Sequence, residues 1–344
     1  MTNITIPDSV TSIGEYAFTS CVKLTGITIP NSVKAIEKYA FQNCMCLSNI
    51  TIPDSVTTLG TYVFNSCDKL TSINVDKNNP NYSSDNGILF NKDKTVLIKY
   101  PLGITSKTYT IPNGVTEIGE HAFAVCENLT NITIPNSVTT IKEQAFTYCT
   151  GLTNITIPDN VTLIEGDAFT DCTNLSSIYV DPNNNNYSSE NGILFNKDKT
   201  ALVCYPLGIT SKTYTIPDSV TKIQSNAFCS CAHLNSITIP NSVISIGENA
   251  FAWSKRLNNI IIPNSVTMIG DYAFIDCTIL TSVTIPNSVT TIGDYAFAWS
   301  KRLTDIKFDG TVQQWNSIKK GQDWCHDIPA TKVVCSNGEV TLKK

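Results

Sequence analysis

Charged residues are scarce in this sequence of 344 residues. Asp, Glu, Lys and Arg together make up 15% of it, whereas about a quarter is usual in soluble proteins. The net charge is −5, so the chain lacks the basic excess with which proteins bind nucleic acid or acidic membrane surfaces. It also lacks an apolar run near the roughly 18 residues of a membrane span. We therefore expect no nucleic-acid partner and no membrane insertion by this chain.

Catalytic motifs are lacking as well. The three histidines, His121, His233 and His326, stand in unlike contexts and form no metalloprotease or triad spacing. The glycines form no phosphate-binding loop, and the acidic residues are scattered over predicted outer turns. We expect neither an enzyme nor a cofactor.

A leader is not visible at the start of the sequence. Thr2 and Asn3 lead directly into patterned sequence, so we expect no signal peptide in this chain. Residue 4 already belongs to a predicted strand. The missing N-terminal cap indicates either a piece of a longer protein or an exposed first coil.

What the sequence does have is a repeat. Ten Ile-Pro dipeptides within residues 6–286 are mostly 23 residues apart, and an extra 36 residues occur twice, which gives a super-repeat of 105 residues. The unit reads L-x-x-I-x-I-P-x-S-V-x-x-I-x-x-x-A-F-x-x-C-x-x. Phenylalanine stands eleven residues after each of these ten prolines, at Phe18, Phe41, Phe64, Phe123, Phe146, Phe169, Phe228, Phe251, Phe274 and Phe297.

One unit is too small to enclose a core of its own. Leu24, Ile27 and Ile29 predict a short strand that ends at proline, which has no N–H to donate. Val33 and Ile36 begin a return arm that we predict to be a short helical or 3₁₀ turn. Stacking such coils would bury their apolar residues in columns and place phenylalanine above phenylalanine.

The run Leu24 to Phe41, LTGITIPNSVKAIEKYAF, and its nine relatives resemble the BspA-like leucine-rich-repeat surface proteins. The resemblance implies a right-handed α/β solenoid with a concave parallel sheet over residues 1–308. It also implies display at a cell surface or secretion, with a cytoplasmic location as the alternative. One departure is that serine mostly replaces the asparagine that follows the strand in the general repeat.

Two insertions and a C-terminal segment depart from the repeat. Alternating apolar residues around Asn91 to Lys94 predict a β-hairpin in each insertion, at about residues 76–108 and 181–213. The run Asp181-x-Asn183-x-Asn185 faintly resembles a calcium loop, but Gly192 stands where a bidentate glutamate is needed, which favours a polar loop. Residues 309–344 predict a cap made of a short helix after Thr311 and a hairpin.

The cysteines recur with the repeat. Eight of the thirteen lie fourteen residues after a proline, and Ser254 and Ser300 fill the other two places. C-x-x-C pairs are absent, so a column of buried thiols is favoured over a metal site. Cys325 and Cys335 are candidates for a disulfide in an oxidising compartment.

Two sets of residues are candidates for binding. The outward strand residues should form an uncharged face, on which we name Thr28, Thr51, Thr133, Thr156, Thr238, Ile261 and Thr284. Trp-Ser-Lys-Arg occurs twice, 46 residues apart, and these are residue types that anchor interfaces: Trp253, Arg256, Trp299 and Arg302. The alternative to a binding role for the threonines is that threonine simply suits an exposed strand. The alternative for the tryptophans is that they fill the edge of the core.

The function that we expect is noncatalytic recognition of a protein, such as a host or neighbouring-cell surface protein, through this sheet face. The alternatives are a carbohydrate- or lattice-binding module and a passive spacer for another domain. The ligand and the oligomeric state do not follow from the sequence.

Overall fold

Each repeat forms one coil with two short strands, and strands of adjacent coils pair in parallel, as Asn3–Thr5 does with Gly26–Thr28 and Ser12–Ile13 with Ala35–Ile36. The computed structural model describes residues 2–342, apart from the side chain of Asn259. Within this range the contacts divide the chain into two compact units, Met1–Cys172 and Thr173–Lys344. Stacked coils with parallel ladders confirm the predicted leucine-rich-repeat solenoid.

The first ladder contains the strand that leads to the proline. In the first unit its strands are Asn3–Thr5, Gly26–Thr28, Asn49–Ile52, Ser72–Val75, Thr108–Thr110, Asn131–Thr133 and Asn154–Ile157. In the second unit they are Ser177–Val180, Thr213–Thr215, Ser236–Thr238, Asn259–Ile260, Ser282–Ile285, Asp305–Phe308 and Lys332–Cys335.

The second ladder occupies the return arm, where we predicted a helical turn, and that prediction was wrong. In the first unit its strands are Ser12–Ile13, Ala35–Ile36, Thr58–Leu59, Val96–Lys99, Glu117–Ile118, Thr140–Ile141 and Leu163–Ile164. In the second unit they are Ala201–Cys204, Lys222–Ile223, Ser245–Ile246, Met268–Ile269, Thr291–Ile292 and Lys319–Lys320.

Left-handed residues explain why the return arm is not helical. Tyr39 and Asn43, nine and thirteen residues after their proline, have φ of 60° and 59°. The same two places are left-handed in almost every coil. Such a residue costs about 1–2 kcal/mol outside glycine, but its N–H then points along the stack. Tyr39 N–H donates to Thr61 O at 3.1 Å and Asn43 N–H to Asn65 O at 2.8 Å, both in the next coil.

The core is built from columns of identical residues. Val33, Ile36 and Phe41 have no exposed surface, and each buried side chain of this size stabilises the fold by about 1.5–3 kcal/mol. Phenylalanine rings of successive coils are nearly parallel, as in Phe228–Phe251 and Phe251–Phe274, with centroids 5.1 Å apart in both pairs. The predicted stacking of phenylalanine on phenylalanine in successive coils is thus confirmed in each unit.

The insertions contain more than the predicted hairpin. Ile88–Asn91 pairs antiparallel with Val96–Lys99, as predicted, and also with a preceding strand, Tyr82–Asp85. Asn86 and Gly87 turn between these two strands with φ of 48° and 80°, the conformation that a tight Asn-Gly hairpin requires. In the second insertion the added strands are Tyr187–Glu190 and Ile193–Asn196.

The last strand of the insertion also belongs to the solenoid. Val96–Lys99 pairs in parallel with Glu117–Ile118. Tyr100 then takes a place in the aromatic column, with its ring 5.4 Å from that of Phe123. The insertion therefore contributes a coil of its own as well as two added strands.

The C-terminal segment has the helix and the hairpin at the predicted places. The helix Val312–Ser317 begins after Thr311, whose hydroxyl accepts from Gln314 N–H. Gly338–Thr341 pairs antiparallel with Lys332–Cys335, which itself pairs in parallel with Asp305–Phe308. Trp315 packs its ring 5.3 Å from Phe308. The division into a repeat region over 1–308 and a cap over 309–344 remains a prediction.

Candidate functional site

The threonine face is the exposed side of the first ladder, formed by the residue two places before each proline. Alternation along the strand places the neighbours of this residue in the core: Ile50 and Ile52 are buried on either side of Thr51, which is exposed. Strand register then aligns the exposed residues of successive coils, as in Thr110 opposite Thr133. Thr28, Thr133, Thr156 and Thr238 are likewise exposed, whereas Thr284 is half-buried.

The hydroxyls of this face are not used inside the protein. Within residues 2–342, the side-chain oxygens of Thr28, Thr51, Thr133, Thr156 and Thr238 have no hydrogen-bond partner in the protein. By contrast, the Thr130 hydroxyl, just before the strand, donates to Lys107 O of the preceding coil at 3.1 Å. The face therefore presents free donors and acceptors on a backbone that the parallel ladder holds in place.

The row becomes less polar toward the C-terminal end of the second unit. Ile261 is 70% exposed and pairs with Thr284. The row then continues through Lys307, which lies opposite Thr284, and Val334, which lies opposite Lys307. Sequence reasoning named Ile261 and Thr284 but missed these two residues.

A tyrosine at the equivalent strand position was also missed. Tyr179 lies in Ser177–Val180 and is 52% exposed. Asp181 takes the place of the proline after this strand, and Lys307 and Val334 have no proline two residues later either. The alternation of apolar residues along these strands, without the proline, was the sequence feature that could have identified all three residues.

The repeated tryptophans lie in one column of the second unit. Trp253 and Trp299 are left-handed residues, with φ of 55° and 56°, and are 44% and 37% exposed. The intervening coil places Asp276 between them, because Trp253 N–H donates to Ile275 O and Asp276 N–H donates to Ala298 O. They therefore lie outside the core and do not fill its edge.

The surroundings of the two tryptophans differ. Trp299 stacks on Tyr295 at 5.8 Å and meets His326 edge-on at 5.6 Å. Lys255, next to Trp253 in the motif, approaches Asp276 at 3.6 Å. Arg256 and Arg302 are exposed. The structure thus places all four named residues at the surface, and their binding role remains a prediction.

The cysteine column has a structural role. Cys149 is completely buried, and its thiol donates to Phe123 O of the preceding coil at 3.1 Å. Ser254 stands in the same column and donates in the same way to Phe228 O at 2.9 Å. All thirteen cysteines are free thiols, including the pair Cys325 and Cys335.

Burial also makes these thiols poor nucleophiles. It raises the pKa of Cys44 to about 11 and that of Cys149 well above 9.0, and reactive cysteines need the opposite shift. Among residues 2–342, no three His, Cys, Asp or Glu side chains lie together as a metal-binding group.

The polar run in the second insertion forms an ordered turn. Asp181 Oδ1 accepts from Asn183 N–H at 2.8 Å. Asn184 Oδ1 accepts from the N–H groups of Asn186 and Tyr187 at 2.8 Å each. These oxygens bind the backbone of their own loop, as the polar-loop interpretation predicts.

In the part of the chain that the structure describes, every helix is too short or too polar to cross a bilayer. A family model described as BspA type leucine rich repeat region matches residues 1–105, 103–197 and 205–318. A comparison with curated proteins found no match.

Three solved structures are similar to the chain. A leucine-rich cell surface protein from Faecalibacterium prausnitzii is 30% identical, with a TM-score of 0.58, over 93% of this chain and 90% of that one. A leucine-rich repeat protein from Eubacterium ventriosum is 25% identical, with a TM-score of 0.52, over 89% and 84%. The pneumococcal vaccine antigen PcpA is 21% identical, with a TM-score of 0.62, over 98% and 78%, and shows the fold alone.

Proposed function

The chain belongs to the BspA-type leucine-rich repeat family, and from this membership we propose that it is a noncatalytic module that binds a protein partner through the threonine face. Leucine-rich-repeat solenoids are generally noncatalytic and bind proteins on an extended sheet surface. The observation that carries the proposal is the in-register row of exposed hydroxyls without partners inside the protein, as at Thr110 and Thr133.

A rigid polar face suits recognition by many weak contacts. Because the parallel ladder already fixes the strands, little conformational entropy is lost when a partner docks. Each hydrogen bond adds only about 0.5–1.5 kcal/mol, so affinity depends on several coils acting together. The exposed Ile261, Lys307 and Val334 add apolar area and one positive charge at one end of the row.

Display at a cell surface is the second part of the proposal. The similar protein from Faecalibacterium prausnitzii is described as a leucine-rich cell surface protein, and it matches nearly the whole of this chain. Adhesion to a host or neighbouring-cell protein is the role that fits such a location.

The test introduces one substitution separately in two different coils of the first unit. Thr51→Lys and Thr133→Lys add charge and bulk to the threonine face, whereas Thr58→Lys adds the same side chain to an exposed strand residue of the second ladder. The labelled full chain is applied to an array of purified extracellular proteins and to a separate glycan array. Thermal unfolding of each variant verifies that it folds.

We expect the unmodified chain and Thr58→Lys to bind the same array protein. Thr51→Lys and Thr133→Lys should weaken that binding about tenfold or more, because a steric clash or an ammonium group buried without a partner costs at least about 1.4 kcal/mol. Equal binding by all four proteins would contradict the use of this face. Hits confined to the glycan array would replace the protein partner with a carbohydrate.

A further inference from the structure

A cavity of about 280 Å³ lies inside the first unit, where the first insertion joins the preceding coil. Its apolar wall includes Leu59, Val63, Leu89 and Ile98. The aromatic column is interrupted here: within the described residues Phe41 stacks on Phe64 and Tyr100 packs on Phe123, but no ring pair joins Phe64 to Tyr100. The volume is near the lower end for small-molecule sites.

A buried amine lies at this cavity without a counter-ion. Lys99 is only 6% exposed. Its Nζ donates to His121 O at 3.0 Å, which leaves two of its three N–H groups without a protein acceptor among residues 2–342. It forms no ion pair with any described carboxylate. Burial lowers the pKa of Lys99, since a desolvated ammonium without a partner is costly.

The second buried polar group is the imidazole of His121. This residue is 7% exposed, and its Nε2 has no hydrogen-bond partner. Glu120 Oε1 is 3.5 Å away, but it accepts instead from the Tyr62 hydroxyl at 3.0 Å. Burial first, and then the charge of Lys99, lower the pKa of His121 to about 4.

The second copy of the 105-residue super-repeat indicates that these residues are not needed for folding. Equivalent positions there keep the apolar wall, with Leu194 for Leu89 and Val203 for Ile98. The polar residues change, because Cys204 replaces Lys99, Asn226 replaces His121 and Asp167 replaces Tyr62. Lysine and histidine are therefore specific to the first copy.

We propose that this cavity binds a small monocarboxylate with an apolar body, whose carboxylate accepts from Lys99 Nζ and His121 Nε2. The ligand would supply the missing counter-charge through charge-assisted hydrogen bonds, and its apolar part would fill the space beside Leu59 and Ile98. Glu117 and the exposed Glu120 also line the cavity. Their negative charge disfavours a second carboxylate on the ligand.

The test measures binding of benzoate and 3-methylbutanoate to the full chain by titration calorimetry and ligand-observed NMR. Benzamide, which has the same ring without the charge, and terephthalate, which has a second carboxylate, are the comparison ligands. The variants Lys99→Cys and His121→Asn introduce the residues of the second copy, so both suit the repeat. Lys94→Met removes a half-buried insertion lysine that pairs with Asp85 outside the cavity and is the matched control.

We expect benzoate or 3-methylbutanoate to bind at millimolar concentration or below, and to bind more tightly than benzamide and terephthalate. Lys99→Cys should weaken carboxylate binding about tenfold or more, since a hydrogen bond to a charged group contributes that much. His121→Asn should have a smaller effect in the same direction, and Lys94→Met should have none. Absence of carboxylate binding at about 10 mM, which is tenfold above the weak end of typical small-molecule sites, would overturn the proposal. Carboxylate binding that Lys99→Cys leaves unchanged would overturn it as well.

Discussion

At the residue scale, the cysteine column contributes one side-chain hydrogen bond between neighbouring coils. Cys149 and Ser254 both donate to a phenylalanine carbonyl of the preceding coil. The position therefore requires a small side chain with a donor, and the metal interpretation is not needed to explain its spacing. The sequence predicted buried thiols but not this bond, because the acceptor lies 26 residues earlier in the chain.

Replacing Cys149 by alanine tests the bond. Cys149→Ala removes the donor and leaves a small cavity, so we expect the free energy of unfolding to fall by about 1–2 kcal/mol. Cys149→Ser keeps the donor and should lose clearly less. Urea unfolding followed by circular dichroism measures both, and Cys46→Ala, at a half-buried cysteine outside the column, should change little. Equal destabilisation by alanine and serine would show that the hydrogen bond is unimportant.

At the scale of elements, the first ladder followed from the sequence and the second did not. Alternating isoleucines and a terminal proline define the first strand by local chemistry. In the return arm, Val33, Ile36 and Ala40 have spacing close to that of a helix. The left-handed residues that prevent a helix are Tyr39 and Asn43, and a tyrosine gives no signal for that conformation, which is held by hydrogen bonds to the next coil.

The insertion likewise shows that local sequence predicts strands but not the contacts between coils. Its strands Ile88–Asn91 and Val96–Lys99 were predictable from alternation. The cavity beside them was not, because Leu59, Lys99 and His121 come from three segments that only the stacking of coils brings together. For the threonine face, the coils with a proline were found from sequence, and Tyr179, Lys307 and Val334 were missed where the proline is replaced.

A buried asparagine fixes the start of the insertion. Asn79 has no exposed surface. Its amide donates to Pro53 O at 2.7 Å and to Val56 O at 2.9 Å, and its Oδ1 accepts from Asn81 N–H and Tyr82 N–H at 2.9 Å each. Two of these hydrogen bonds join the insertion to the preceding coil, and the other two hold the turn that leads into the first added strand.

Asn79→Ala should consequently remove four hydrogen bonds, of which the two to Pro53 O and Val56 O are buried. We expect a loss of about 3 kcal/mol or more in the free energy of unfolding, and faster amide hydrogen exchange over Tyr82–Asp85 and Ile88–Asn91. Mass spectrometry of exchanged peptides locates the change. Asn78→Ala alters the exposed neighbour and should leave exchange unaffected. Unchanged protection in Asn79→Ala would mean that the antiparallel strands hold the insertion without the asparagine.

At the scale of the whole molecule, stability is carried by contacts between successive coils. Phe251 is packed between Phe228 and Phe274, whereas Phe18, at the beginning of the chain, stacks on Phe41 and is half-buried. In a stack of this kind each coil depends chiefly on its immediate neighbours. The effect of a core substitution should therefore depend on how many coils it touches.

Phe251→Ala tests this dependence on neighbours. It removes a buried ring with two ring partners, so we expect a loss of about 3–5 kcal/mol. Hydrogen exchange should accelerate in its own coil and in the coils of Phe228 and Phe274, while the strands Asn3–Thr5 and Gly26–Thr28 keep their protection. Phe18→Ala should have a smaller effect, confined to the first coils. A uniform loss of protection across both units would instead mean that the chain unfolds as one cooperative body. Coupling limited to adjacent coils would not carry the effect of one cavity to distant coils.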